Sequence, residues 1–385
     1  MREPLSPKLA GFGTTIFTEM TRLANEHGAV NLAQGFPDFD GPDFVKDAAR
    51  RAIDEGHGQY APMSGLPALQ DAIARDRAAR FGQTFDPRTE VVVGCGATEL
   101  LFAAVQALVG VGDEVVLVEP FYDSYRASVH LAGAKVRAVR LEPPAFRLEE
   151  AALRAAFCPR TRLVIVNTPH NPTGRVLSRE ELGLVARLCV EHDVPCIADE
   201  VYDRLVYEGE HVAIATLDGM RERTLTLGSV SKTFSLTGWR VGWAVAPAPL
   251  AGALRTAHQF VTFAAPTPLQ HGAAAGLAAP SSYYEELSAM YRQKRDRLSG
   301  ALADVGFDVF PAEGAYFVCA GYARFGFDDD AAFCRHLTTK IGVAAIPPSA
   351  FYEDSRAAQP YVRFTFSKRD ETLDRAIERL QKLRA

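Results

Sequence analysis

Short apolar runs alternate with amphipathic segments from about residue 90 to residue 246. Apolar runs of about four to eight residues that are rich in Val and Ile favour strands buried on both faces. The predicted strands are 91–93, 114–118, 135–140, 163–167, 196–199, 224–227 and 241–246. Segments 99–109, 125–132 and 179–191 have helical spacing, and Ser178 with Glu181 forms a capping-box signature at the start of the last one. This alternation predicts an α/β fold with a mostly parallel sheet of about seven strands, covered on both faces.

The last third of the chain has a different pattern. One long helical segment, 283–302, precedes short candidate strands at 307–310, 315–319, 343–346 and 361–366, and a helix at 371–383 closes the chain. The first ~45 residues contain no strand long enough to begin the large sheet. We therefore expect a large domain at 46–280 and a smaller α+β domain built from both chain ends, 1–45 and 281–385.

Composition and charge exclude several classes of protein. The net charge of −5 argues against a nucleic-acid or anionic-membrane surface. The longest apolar stretch, around 100–111, falls short of the ~18 residues that span a bilayer, and the first residues lack the apolar region of a secretory signal. The six cysteines have no C-x-x-C spacing, so we expect reduced thiols and no metal site. The expected location is the cytoplasm.

Polar residues are concentrated where the predicted strands end, which is where ligands bind in sheets of this kind. Segment 229–242 reads SVSKTFSLTGWRVG and follows a predicted strand. A partly desolvated amine at Lys232 would be nucleophilic at neutral pH. The hydroxyls of Ser229 and Ser231 and the guanidinium of Arg240 could surround a phosphate ester with donors. The alternative is an ordinary surface lysine after a strand.

Two further strand ends carry polar groups. Segment 196–202 reads CIADEVY, which places Asp199 at the end of a buried strand and Tyr202 three residues later. Segment 167–174 reads NTPHNPTG and follows another buried strand. Seen separately, these segments could be a helix cap with a packed tyrosine and a simple Pro/Gly turn.

Two segments suggest binding sites for anions. The turn GCGATE at 94–99 joins a strand to a helix start, where free N–H groups and the helix dipole favour an anion, so Gly96, Ala97 and Thr98 are candidates. Segment 361–366 reads YVRFTF and places Arg363 among apolar neighbours, where a guanidinium is costly unless it is paired. A bidentate guanidinium suits a carboxylate.

Together these segments resemble the class I and II (fold type I) pyridoxal-phosphate (PLP) aminotransferases, from about Gly11 to the last helix. Segment 229–242 is similar to the family's lysine signature, NTPHNPTG to its N-P-x-N-P-T-G loop, and NLAQGFPD at 31–38 to its N-terminal substrate loop. The nearest branch is that of the kynurenine/glutamine and methionine aminotransferases, and N-succinyldiaminopimelate aminotransferases are also similar. Phe17 stands where the kynurenine enzymes have tryptophan, and Thr98 replaces a tyrosine, so the substrate stays open.

The resemblance implies how PLP would be held. Lys232 would bind it covalently as a Schiff base, and Asp199 would face its pyridine nitrogen. Tyr202 and Asn171 would contact its 3′ oxygen, and Tyr122 would stack on its ring. The remaining implied cofactor contacts are Gly96, Ala97, Thr98, Ser229 and Arg240, with Tyr60 from the partner subunit. The Asn171–Pro172 bond is expected to be cis.

The resemblance also implies a substrate site and a homodimer. Arg363 would bind the α-carboxylate, and Gly35, Asn171 and Phe17 would lie beside the substrate. Tyr60 and Phe263 would reach into the partner's site. Aromatic walls, with Phe351 as a further member, favour a bulky neutral donor of the methionine, aromatic, glutamine or kynurenine type. Arg22 and Arg126 are the cations that could instead accept a carboxylate side chain.

The expected activity is ping-pong transamination from such an amino acid to a 2-oxo acid. One alternative is N-succinyldiaminopimelate transamination. Another is a cysteine-S-conjugate β-lyase, which would use the same Lys232 and Asp199. A non-catalytic binding protein on this scaffold would have no need of that lysine and aspartate, and both are present.

Overall fold

Twelve strands and thirteen α-helices lie within residues 6–9 and 11–384, the part of the chain that the computed structural model describes. The strands are β1 Val30–Asn31, β2 Val91–Gly94, β3 Glu114–Glu119, β4 Lys135–Arg140, β5 Thr161–Asn167, β6 Cys196–Asp199, β7 Thr224–Ser229, β8 Gly242–Val245, β9 Asp308–Val309, β10 Phe317–Gly321, β11 Val343–Ala344 and β12 Tyr361–Thr365. The helices are α1 Ile16–Glu26, α2 Asp43–Asp54, α3 Pro67–Phe81, α4 Ala97–Leu108, α5 Asp123–Leu131, α6 Glu150–Ala156, α7 Arg179–Glu191, α8 Val230–Thr233, α9 Ala248–Val261, α10 Thr267–Leu277, α11 Ser281–Asp304, α12 Asp330–His336 and α13 Asp370–Leu380. None of these helices is long and apolar enough to cross a membrane.

Seven strands form the central sheet in the order β2-β8-β7-β6-β5-β3-β4. All neighbours are parallel except β8, which runs antiparallel to both β2 and β7. Strands β3, β5 and β6 are buried almost throughout, because helices cover both faces of the sheet. The predicted mostly parallel α/β sheet is confirmed.

The order of the sheet brings three strand ends together. Strands β5, β6 and β7 are neighbours, and their register pairs Asn167 with Asp199 and Asp199 with Leu227. Ser229 ends β7, and Lys232 follows in the short helix α8. Residues that are distant in sequence therefore share one edge of the sheet.

Two smaller sheets lie outside the central sheet, and one of them joins the two ends of the chain. Strands β12, β10 and β9 form an antiparallel sheet, and β1 pairs in parallel with β11, matching Val30 with Val343. The Leu32 carbonyl accepts from the Thr365 amide at 2.8 Å. The N-terminal segment thus lies against the end of β12, which carries Arg363.

Candidate active site

A cavity of about 410 Å³ opens at the carboxyl ends of β5, β6 and β7. Thirteen of the residues predicted from the sequence line it: Phe17, Gly35, Ala97, Thr98, Tyr122, Asn171, Asp199, Tyr202, Ser229, Ser231, Lys232, Arg240 and Arg363. They come from the helix α1, the loop after β1, the strand ends of the central sheet and β12. One cavity therefore gathers most of the candidate chemistry.

Asp199 is a buried carboxylate held by two donors. The Tyr125 hydroxyl donates to its Oδ2 at 2.6 Å, and the Val201 amide donates to its Oδ1 at 3.3 Å. Burial raises the pKa of Asp199, whereas these hydrogen bonds and the charge of Lys232 lower it. A carboxylate in this position is stabilised by any cationic N–H group placed within the cavity.

Lys232 and Tyr202 face each other across the cavity. The Lys232 Nζ lies 5.5 Å from the centre of the Tyr202 ring and 5.7 Å from that of Tyr316. Burial, reinforced by the neighbouring Tyr316, raises the pKa of the Tyr202 phenol well above its ordinary value. Tyr202 is therefore a neutral hydrogen-bond donor at physiological pH, beside a primary amine.

The start of α4 and Arg240 form an anion-binding corner. Gly96 precedes α4 with φ of 86°, and a Cβ on it would lie 2.6 Å from Nη2 of Arg240, so only glycine fits there. On the other side, the Ser229 hydroxyl donates to the Ser231 hydroxyl at 2.8 Å. Backbone N–H groups of α4, two hydroxyls and a guanidinium thus converge on one corner of the cavity.

Arg363 is fully buried at the other end of the cavity, and its hydrogen bonds go to neutral oxygens. Its Nη1 donates to Asn171 Oδ1 at 2.9 Å and its Nη2 to the Ala33 carbonyl at 2.9 Å, while Nε has no partner among the described residues. Burial lowers the pKa of Arg363 to about 10, so it is still charged at neutral pH. A buried guanidinium whose hydrogen-bond partners are all neutral fits an anionic ligand.

Aromatic rings surround this arginine. The Arg363 Cζ lies 4.2 Å from the Phe317 ring centre and 5.4 Å from that of Phe17. Phe351 packs against Phe17, with ring centres 5.9 Å apart, and lies 5.2 Å from the Arg363 Cζ, but it is not among the residues that line the cavity, where it was predicted. The wall is made by Phe17, Phe36 and Phe317.

Gly35 allows the N-terminal loop to approach the ring of Phe317 closely. A Cβ on it would lie 2.7 Å from Cε1 of Phe317, and its carbonyl accepts from the Tyr316 hydroxyl at 2.7 Å. Any larger residue would push the loop away from the aromatic wall.

The two arginines considered as extra cations lie outside the cavity. Arg22 pairs with Glu26 on the exposed face of α1 at 2.5 Å. Arg126 pairs with Glu353 at 3.1 Å and lies over the ring of Phe12. Among the described residues, the cations that line the cavity are Lys232, Arg240 and Arg363. Both arginines thus form ion pairs outside the cavity.

Tyr60 and Phe263 are also absent from the cavity of their own chain. Their rings meet edge to face on the surface, with centres 5.3 Å apart, and Tyr60 is 82% exposed. Phe260 lies in the same region of the chain and is 84% exposed.

The sequence predictions missed two polar residues that hold Asp199. The sequence pattern places Tyr125 only at the start of a helix, although its hydroxyl donates to Asp199. Asn167 donates from Nδ2 to the Asp199 carbonyl at 2.8 Å and accepts from the Asn171 amide at 2.7 Å. A polar residue that ends a buried strand was the available signal for Asn167. The Asn171–Pro172 bond is cis, as expected.

The charged residues that line the cavity indicate which kind of ligand it can bind. The cavity has a cation at each end, a lysine between them and a single carboxylate, Asp199, among the described residues. Such a site suits a ligand, or a pair of ligands, with a phosphate at one end, a carboxylate at the other and a cationic ring nitrogen near Asp199.

Comparison with known proteins agrees with this geometry. Residues 27–380 match the family model for aminotransferase class I and II. The structure of N-succinyldiaminopimelate aminotransferase from Mycobacterium tuberculosis is similar, with a TM-score of 0.95, 46% identity and coverage of 98% of this chain and 100% of that one. Methionine aminotransferase of Escherichia coli is 42% identical over 99% of both chains. A kynurenine–oxoglutarate transaminase of Dictyostelium discoideum is 39% identical over 98% of this chain and 96% of its own.

Proposed function

The chain belongs to the aminotransferase class I and II family, and on that premise we propose that it moves the amino group of a bulky, neutral L-amino acid to a 2-oxo acid, with PLP as cofactor. The expected donors are of the methionine, aromatic, glutamine or kynurenine type. The observation that carries the choice of donor is the cavity wall. It is aromatic, and each of its three described cations has another role.

The residues fit PLP at each of its functional groups. The start of α4, Ser229 and Arg240 would hold the phosphate, and Asp199 would hold the ring nitrogen protonated. Tyr202 and Asn171 would donate to the ring oxygen, and Tyr122 would lie against the ring. When bound, PLP supplies an electron sink for the negative charge that develops at the substrate Cα.

Lys232 has two roles in this proposal. Its amine would hold the resting cofactor and, once free, would carry the proton from the substrate Cα to the cofactor carbon that takes up the amino group. The neutral Tyr202 phenol can donate a hydrogen bond without competing for that proton, because burial keeps its pKa high. The oxo-acid product leaves before the second oxo acid binds, which predicts ping-pong kinetics.

Arg363 would bind the α-carboxylate of donor and acceptor alike. Asn171 and the Ala33 carbonyl would fix the plane of the guanidinium, which lines the cavity. Phe17, Phe36 and Phe317 would then contact the side chain of the substrate, favouring apolar and thioether groups.

The competing substrate is N-succinyldiaminopimelate, which the 46% identity to the Mycobacterium tuberculosis enzyme favours. That substrate carries additional carboxylates, and desolvating one against aromatic rings requires a further cation. The described residues place no such cation in the cavity, since Arg22 and Arg126 are paired elsewhere. The neutral donor is therefore the better fit.

The deciding experiment is a screen of amino donors and oxo acceptors with PLP-saturated enzyme. We expect kcat/KM for methionine and kynurenine to exceed that for glutamate and N-succinyldiaminopimelate. A preference of tenfold or more for the carboxylate-bearing donors, about 1.4 kcal/mol, would overturn the proposal. Release of pyruvate and a thiol from a cysteine conjugate would instead indicate the β-lyase reaction.

A homodimer is part of the proposal. Tyr60, Phe260 and Phe263 leave aromatic surface exposed, and large exposed aromatic side chains of this kind mark interaction sites. Tyr60 and Phe263 would complete the partner's site.

We also propose a cytoplasmic location, because all six cysteines are unpaired.

A further inference from the structure

The substrate loop, residues 31–38, is attached to the C-terminal part of the chain by an unusual series of contacts. Each backbone carbonyl from residue 32 to residue 36 accepts a hydrogen bond from that part. The donors are Thr365 N at 2.8 Å, Arg363 Nη2 at 2.9 Å, Lys368 Nζ at 3.2 Å, Tyr316 Oη at 2.7 Å and Lys368 Nζ again at 2.8 Å. A loop is rarely held so completely, because loop carbonyls usually face water.

Lys368 is the only residue that contributes twice to this series. Its side chain is buried, and its ammonium bridges the carbonyls of Gln34 and Phe36, on either side of Gly35. The Nζ also lies 5.0 Å from the centre of the Phe36 ring, which forms part of the cavity wall. Lys368 itself does not line the cavity.

We propose that Lys368 is a positioning residue whose ammonium fixes the substrate loop against Arg363 and thereby sets the affinity for substrate carboxylates. This inference rests on the proposed role of Arg363. Both residues lie on one short segment, because Lys368 follows the end of β12 by three residues. The bridge therefore fixes Gly35 and Phe36 relative to the guanidinium that would bind the carboxylate.

The charge of Lys368 is sensitive to pH. Burial lowers its pKa to about 8, and Asp38 is the charged group that opposes this shift. Asp38 is itself held by the Arg369 amide at 2.6 Å and the Thr372 hydroxyl at 2.7 Å, and nearby Lys294 is paired with Asp370 at 2.6 Å. The ammonium is therefore present below about pH 8, and the bridge weakens as the pH rises above that value.

The test uses PLP-saturated enzyme and two readouts. The first is the Kd of 3-phenylpropanoate, a carboxylate that cannot react. The second is steady-state kinetics, in which KM and kcat are determined separately for the donor that the wild-type enzyme turns over fastest. The Kd of the oxo acid that corresponds to this donor is measured with it. We expect Lys368→Met to raise Kd and KM about tenfold, about 1.4 kcal/mol, with kcat within about threefold. Lys368→Arg should keep Kd and KM within about threefold of wild type.

The pH profile separates positioning from general stability. Wild-type affinity for the carboxylate should fall above about pH 8, and Lys368→Arg should remove that fall because arginine keeps its charge. The matched control is Lys294→Met, which removes another buried lysine from the same region but no contact to the loop. It should lower the unfolding temperature and leave Kd unchanged.

Two outcomes would overturn the inference: unchanged Kd and KM in Lys368→Met, or an Arg variant whose pH profile matches wild type. If the Met variant does not fold, the wild-type and Arg profiles still decide. If the screen shows a preference for carboxylate-bearing donors, the proposed substrate is wrong. The role of Lys368 is not affected by that result, because the comparison of Lys368 variants uses whichever donor is active.

Discussion

The hydrogen bond from Tyr125 to Asp199 can be removed with little change in shape by Tyr125→Phe. Both groups are buried, and the oxygen–oxygen distance is 2.6 Å. Hydrogen bonds to charged groups contribute about 1.5–3 kcal/mol. After the substitution, Asp199 keeps only the longer contact from the Val201 amide, at 3.3 Å.

Loss of this hydrogen bond should weaken cofactor binding, because it changes the pKa of Asp199. Burial raises that pKa and the Tyr125 hydroxyl lowers it, so the Phe variant should have a still higher value. A carboxyl that is harder to ionise holds a protonated ring nitrogen less strongly. If about 2 kcal/mol is lost, the Kd for PLP should rise about 30-fold.

The higher pKa of Asp199 also changes the free energy of unfolding in a defined direction. A carboxyl whose folded-state pKa lies above its unfolded value stabilises the fold most at acid pH, and this contribution is lost as pH rises through the folded-state pKa. Without cofactor, Tyr125→Phe should therefore be less stable than wild type at pH 7. The difference should narrow towards acid pH, as Asp199 takes up a proton in both proteins.

The assay combines PLP titration, followed by absorbance, with denaturant unfolding of cofactor-free protein at pH 7 and pH 5. The matched control is Tyr322→Phe, which removes a buried hydroxyl that donates to the Gln359 carbonyl at 2.7 Å, outside the cavity. It should lose stability equally at both pH values and bind PLP normally. If Tyr125→Phe behaved like this control, the link from Tyr125 through Asp199 to the cofactor would be wrong.

Four further outcomes are expected. Lys232→Ala should abolish turnover and leave no borohydride-reducible bond between protein and PLP, and substantial transamination by this variant would contradict the assignment. Asp199→Ala should weaken PLP binding and remove most activity, since breaking a buried ion pair costs about 3–5 kcal/mol, whereas near-native rates would require another acid. Arg363→Ala should lower kcat/KM about 100-fold or more for donors and oxo acids together, and loss of only one side-chain class would place it in the specificity pocket. Phe260→Glu should shift the protein towards monomer in sedimentation with a parallel loss of activity, and an unchanged dimer would exclude this surface from the interface.

Strand ends were the most predictable part of the site. In a parallel sheet, each strand that ends in a polar residue delivers it to the same edge, and sheet order alone then brings neighbouring ends together. Asp199 and Ser229 could be assigned to one site in this way, although 30 residues separate them in the chain. The bounds predicted for β4, β6 and α7 are those of the structure.

Packing between distant segments was less predictable. Helix α2 was not predicted, although its buried positions, Val45, Ala49 and Ala52, have helical spacing. The predicted strand 343–346 is paired only over Val343–Ala344, since the chain then leaves β1 and bridges to Arg363. The division into a large domain at 46–280 and a small one from both ends stays a prediction. It is supported by the pairing of β1 with β11.

Tyr125 and Lys368 are two residues whose roles the pattern of apolar and polar positions along the chain does not indicate. Each is an ordinary residue in its own segment, at the start of a helix and just after a strand, and neither stands at the end of a buried strand. Their partners lie 74 and more than 330 residues away. The strand-end rule finds groups that touch a ligand, whereas groups that hold those residues in place come from whichever element packs behind them. In this chain, one such element is α5 behind the carboxylate, and another is the turn after β12 behind the loop. For this reason, the substitutions at these two residues test the three-dimensional arrangement, whereas those at Lys232 and Asp199 mainly test the family assignment.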